Sequence, residues 1–285
     1  MKRIVLVLAI GCGGEPVDAP VASLFETTLL SETGLFEDIS TQAVDARAHE
    51  YEPAYKLWSD GAQKRRWIRT PDGSQPDDWS LPIGARMFKQ FAVDGRPIET
   101  RVFSRESEDE WFMGTFVWRD DLSDADLIED GVSDANGKGY EVPNNTACRL
   151  CHGSTPRTLG WSPEQLAAEI DRTDPIMEGL GYLHANCGHC HGDGGLAMSA
   201  GIDMVLRLDL IDGKLDATRI LESTVGRPAI TSVGPEIRIA KGRPDQSAII
   251  YRMKSLDGAR MPPIATHTID EQGVLQVSRM IEALQ

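Results

Sequence analysis

Four of the five cysteines in this 285-residue chain fall in two copies of one pattern, Cys148-Arg149-Leu150-Cys151-His152 and Cys187-Gly188-His189-Cys190-His191. Cysteines at i and i+3 of a helical turn lie on one face, so both sulfurs can reach one planar group. The next residue then brings its imidazole to a metal at the centre of that group. C-x-x-C-H is therefore the attachment signature of c-type haem, with two thioethers to the vinyl groups and a proximal histidine on iron. The pattern predicts haem c at Cys187 and Cys190 with His191 as iron ligand. It predicts a second haem at Cys148 and Cys151 with His152. C-x-x-C pairs also form structural zinc sites and disulfides. Zinc leaves a histidine after each pair without a role, and a C-x-x-C disulfide closes a small, strained loop.

An iron held on one side by histidine needs a sixth ligand or an open position. Arg260-Met261-Pro262-Pro263 lies in a loop before the last helical pattern and resembles the distal-ligand loop of a small class I cytochrome c, which implies the Met261 thioether in that position. A methionine ligand raises the reduction potential relative to a second histidine. The other iron has no obvious partner: His184, three residues before Cys187, is a candidate, with Met177 and Met198 as rivals. His189 is expected to point into solvent. His49 and His267 have no motif around them.

The elements that must position these groups differ along the chain. Met87 to Val93, Ile98 to Phe103 and Trp111 to Trp118 are apolar, β-branched or aromatic runs. They are separated by Asp-Gly and Pro-containing turns, which predicts an antiparallel meander. Five of the six tryptophans fall in this region, as expected of aromatic core packing. Lys64-Arg65-Arg66 reads as a solvated turn. Farther on, Ser162 to Ile170 starts with an N-cap Ser and Pro at the first helical position. Val274, Val277, Ile281 and Leu284 recur at helical spacing, which predicts a terminal amphipathic helix over 270–284. The expected fold is α+β: a β-rich domain over 24–140, then a mainly α-helical, cytochrome c-like haem-binding region over 141–285.

The first dozen residues predict export. Lys2 and Arg3 precede a short apolar stretch ending at Gly11-Cys12, which resembles a lipoprotein-type signal with Cys12 as the lipidated residue. The stretch is too short to span a bilayer as a helix. Residues 13–23, rich in Pro, Gly and Ala, read as a tether. The formal net charge is −15, with no basic stripe, which argues against nucleic acid as a partner. Acidity of this size favours basic protein partners met in salt-sensitive encounters.

Over residues 24–285 the chain resembles a family of exported bacterial diheme c-type cytochromes. The resemblance rests on Tyr55-Lys56-Leu57-Trp58-Ser59-Asp60-Gly61, on the first C-x-x-C-H, and on Tyr182-Leu183-His184-Ala185-Asn186 leading into the second. It also rests on Lys241-Gly242-Arg243-Pro244-Asp245 ahead of Met261-Pro262-Pro263. Met280 departs from the Trp that many relatives carry. The resemblance implies electron transfer at the cell envelope, anchorage through Cys12, and a redox partner such as an exported dehydrogenase. A peroxidase-like enzyme with one open iron, or a binding protein with a subordinate haem region, are the alternatives it leaves.

Overall fold

A computed structural model describes residues 23–284 apart from 77–78, 154–157, 167–170, 172, 231–232 and 265. The signal over 1–12 with its Cys12, nearly all of the tether over 13–23, and the last four positions of the helix expected at Ser162 to Ile170 lie outside the described residues.

The first half is built on antiparallel strands. A small pair, β1 (Phe36–Asp38) and β2 (Ala43–Val44), precedes a six-stranded sheet in simple sequence order. Its strands are β3 (Ala48–Glu50), β4 (Gln63–Arg69), β5 (Arg86–Val93), β6 (Arg96–Arg105), β7 (Trp111–Trp118) and β8 (Ala125–Ile128). Asp94 and Gly95 join β5 to β6, both with positive φ (52° and 78°), the backbone that a two-residue hairpin turn needs to match strand twist. Strand alternation sends Trp67, Phe88, Val102, Phe112 and Phe116 to one face, where Leu24, Leu30, Leu35 and Phe36 bury them. The opposite face carries Ile68, Met87 and Phe103, which pack with Trp161 from the second half.

The second half contains α1 (Asn145–His152), α2 (Pro163–Leu166), α3 (Pro175–Asn186) and α4 (Leu196–Ser199). A hairpin of β9 (Asp209–Ile211) and β10 (Lys214–Asp216) follows, then α5 (Thr218–Thr224), α6 (Ala248–Lys254) and α7 (Glu271–Ala283). The terminal helix forms where the spacing predicts, capped by the Asp270 carboxylate, which accepts from the Gly273 N–H. Glycine makes the α3–α7 crossing possible. A Cβ on Gly179 would sit 2.4 Å from Met280 Cβ, and one on Gly273 would sit 2.2 Å from the Tyr182 ring.

Two expectations are corrected. The structure is β-rich, and the mainly α-helical, cytochrome c-like second region does not form: its helices are short pieces, the longest spanning 13 residues. Glycine and proline break up the segments that join them, and isolated bridges such as Val225 to Ile239 and Ile237 to Ser247 lie within the region expected to be mainly helical. Lys64-Arg65-Arg66 is no solvated turn either. It lies in β4, with Arg66 only 4% exposed. Among the described residues no helix is long and apolar enough to cross a membrane.

Candidate functional site

The first C-x-x-C-H lies on α1. The Asn144 carboxamide caps the helix by accepting from Ala147 N at 2.9 Å, and Gly153 N donates to Arg149 O at 2.8 Å to close it. α1 lies against β7. The His152 ring stacks on Phe103 (centroids 5.4 Å apart, 29° between planes), which stacks in turn on Trp111 at 4.8 Å. Burial pushes the Cys148 thiol pKa up, while Arg101 and the Thr115 hydroxyl, both from the sheet, pull it down.

The second motif leaves the end of α3. Asp174 caps this helix by accepting from Ile176 N at 2.9 Å, with Pro175 at its first position. Cys187 N donates to Leu183 O at 2.8 Å and His191 N to Cys187 O at 2.8 Å, so helical turns run on through the motif. Asn186 ties it to the segment before the sheet. Its side-chain carbonyl accepts from Trp58 N at 2.6 Å, and its NH₂ donates to Lys56 O at 3.1 Å and Tyr182 O at 3.0 Å. A Cβ on Gly188 would lie 2.7 Å from His184 O, and one on Gly195 would lie 2.2 Å from Cys190 O. Only glycine lets the chain fold back so closely here.

Both motifs face one cavity of about 500 Å³. Cys148, Cys151, His152, Cys187, Cys190 and His191 all line it, together with Met261. No disulfide joins the four cysteines. Cys151, Cys190 and His189 come together across the two motifs, with their ligand atoms within 4.8 Å of one another. His189 was expected in solvent; it is half-buried and lines the cavity beside Cys151. The contact with Cys190, then burial, pushes the Cys151 thiol pKa up to about 12, and burial alone does the same for Cys187.

His191 is buried. Burial lowers its pKa against the opposing effect of the Met204 backbone, and its Nδ1 has no hydrogen bond of normal geometry. Leu206 N donates to His191 O at 2.7 Å and fixes the backbone there. Met261 is held by its N–H, which donates to Arg252 O at 3.1 Å. The loop around it is braced by Arg260, whose guanidinium donates to Thr266 O at 2.6 Å. Asp60 accepts from His267 N and Thr268 N and fastens the loop's far end.

The structure brings the remaining candidates together less completely. His184 does not line the cavity; its Nδ1 accepts from Leu208 N at 3.0 Å, and burial pushes its pKa down to about 4. Met177 and Met198 do not line it either, whereas Met87 and Met113 from the sheet do. Sequence reasoning also missed Lys89, Arg101 and Thr115 as cavity residues. The one signal for them is polar side chains at inward positions of apolar strands, readable only once strand phase and register are known. Comparison with known protein families, with curated proteins and with solved structures found no match to this chain.

Proposed function

We propose that this protein is an exported c-type electron carrier, similar to the diheme cytochromes named above. In this reading Cys187 and Cys190 hold one haem c and Cys148 and Cys151 a second, with His191 and His152 as proximal iron ligands. Met261 takes the sixth position on the iron bound by His191. Cys12 carries the lipid that anchors the chain at the cell envelope, and the redox partner is a basic protein such as an exported dehydrogenase. The observation that carries the reading is convergence: two C-x-x-C-H segments, far apart in sequence, turn every cysteine and final histidine toward one cavity that also admits Met261.

Haem, when bound, supplies an iron that cycles between ferrous and ferric. The chain's own residues suit such a group. Burial favours the neutral imidazole of His191, the form that offers a lone pair to a metal. The indole N–H of Trp58, another cavity residue, is a buried polar atom without a partner among the described residues. Such atoms are rare in a finished interior and fit a cavity made to be filled. Leu57, Leu196, Ala197, Ile202, Leu206 and Ile249 line the cavity as well and give it apolar walls.

Intact mass and haem staining of the full chain, exported from a host competent in haem attachment, test this. Two haem additions are expected, one lost on replacing Cys187 and Cys190 and the other on replacing Cys148 and Cys151. Stoichiometric zinc without haem would overturn the reading. At the iron that His191 and Met261 would hold, reduced protein should bind carbon monoxide slowly, and electron exchange with a basic partner should slow as salt screens the −15 charge. Fast carbon monoxide binding with saturable peroxide turnover would make it a peroxidase instead. Replacing Cys12 with Ser should release the protein from membranes with its haem spectrum unaltered.

A further inference from the structure

The sheet face beneath α1 carries a row of cations. In the register of the sheet Arg66 on β4 pairs with Lys89 on β5, Lys89 with Arg101 on β6, and Arg101 with Thr115 on β7. Directly paired residues project to the same side, so three positive side chains stand next to one another across three strands. Like charges placed this way repel, and sheets avoid the arrangement unless something compensates.

The compensation inside the protein is incomplete. Glu99, fully buried, takes a bidentate pair from Arg101 (2.8 and 2.6 Å) and a hydrogen bond from Tyr140 Oη at 2.7 Å. Its capacity is largely used by those two. Lys64 is satisfied by the Leu57 and Ala62 carbonyls at 2.8 and 3.2 Å. Lys89 is left over. Among the described residues its ammonium has neither hydrogen bond nor ion pair; it lies over the Phe91 ring at 5.0 Å, a ring that Arg101 also faces at 4.4 Å. The charges bearing on it are Arg66, Lys64 and Arg101 against Glu99 alone, and burial with those cations holds its pKa well below the usual lysine value.

The row also has an address. Lys89, Arg101 and Thr115 all line the cavity, and Thr115 and Arg101 both act on Cys148. An unmatched positive site therefore opens into the cavity beside the first cysteine of the first motif. A cation there without a partner calls for an anion from the occupant.

We propose that Lys89, with Arg101 beside it in the cavity wall, is the carboxylate-binding subsite for the group attached at Cys148 and Cys151. This rests on the haem reading above, since haem carries two carboxylates besides its vinyl groups. Lys89 is the positioning residue: its ammonium would hold a carboxylate at the sheet while Cys148 and Cys151 on α1 hold the group itself, and Arg101, committed to Glu99, adds its charge alongside. The subsite also makes the first haem's iron sense β5 and β6.

The test uses the full, haem-loaded chain carrying Lys89→Met or Lys89→Arg. Intact mass comes first. If the haem at Cys148 and Cys151 is absent from the unaltered chain, the haem reading falls at that motif and takes the subsite with it. With both haems present, redox titration separates the two irons. Lys89→Met should lower the potential of the first haem by about tenfold in its ferric–ferrous equilibrium, about 59 mV, because an unneutralised carboxylate favours ferric iron. The second haem serves as internal control and should not move, and Lys89→Arg should restore the first.

A second readout separates contact from general electrostatics. Lys89→Met should destabilise the doubly loaded protein. In a Cys148→Ser/Cys151→Ser background, loaded at the second motif only, it should stabilise, since it removes a repelling charge that has no anion to meet. Equal potentials in wild type and Lys89→Met, or a stability effect of the same sign in both backgrounds, would overturn the subsite while leaving the haem reading intact.

Discussion

The segment with Cys187 and Cys190 emerges from α3, whose Leu180 and Leu183 are buried in a core with Val277, Met280 and Ile281 of α7. The segment with Cys148 and Cys151 lies on α1, an eight-residue helix none of whose residues is fully buried. One motif is thus built into an apolar core, and the other is mounted on a sheet through a cap, a ring stack and the polar groups underneath. Core burial fixes position through many small contacts and forgives the loss of any one. A mounted helix depends on a few directional contacts, so the two sites should answer differently to substitution.

The largest effect is expected beneath the mounted motif. Glu99→Ala strips the half-buried Arg101 of its fully buried partner, at a cost of about 3 kcal/mol, read as denaturant unfolding of the exported protein. A cost below about 1 kcal/mol would mean that the pair behaves like a surface ion pair and that the sheet is not what supports α1.

Next comes a pH effect on the core-built side. Burial pushes His184 down to about 4, below its unfolded value of about 6.5. The unfolded chain therefore takes up the proton first as pH falls. Stability from this group is fully present above about pH 6.5 and is lost as pH falls toward 4, by roughly 3 kcal/mol in all. His184→Gln should flatten that part of the stability–pH curve; an unchanged slope would show that His184 is solvated.

Gly181→Ala probes the same core. Its Cβ would lie 1.9 Å from Tyr55 Cε1, so Tyr55 must shift away from α3, at a cost of about 1–3 kcal/mol. Better helix propensity alone would give a gain of about 1 kcal/mol, so the sign decides whether Tyr55 packs that closely on α3. The smallest effect belongs to the mounted helix: Asn144→Ala removes the α1 cap for about 1 kcal/mol. It should loosen the His152–Phe103 stack, visible as faster amide exchange in α1, with exchange in α3 unaltered. Equal changes in both helices would erase the contrast between the two mounts.

Much of the chemistry was legible in the residues themselves. C-x-x-C-H is a local pattern, and a helical turn alone puts its two sulfurs on one face. The meander and the terminal helix were legible for the same reason: Trp111 to Trp118 and Val274 to Ile281 carry their periods within a single element. The second half was misread because one helix start at Ser162 and one helix at the end were extended into a helical domain. The glycines and prolines between them instead shape turns and isolated bridges that no period announces. What only the tertiary structure decided is which groups meet. Cys151 reaches His189 and Cys190, His152 finds Phe103, and Arg66, Lys89 and Arg101 line up. Those meetings depend on strand register and on where α1 and α3 come to rest. Register and docking are set by burial summed over the whole sheet and core, so no short stretch of sequence carries them.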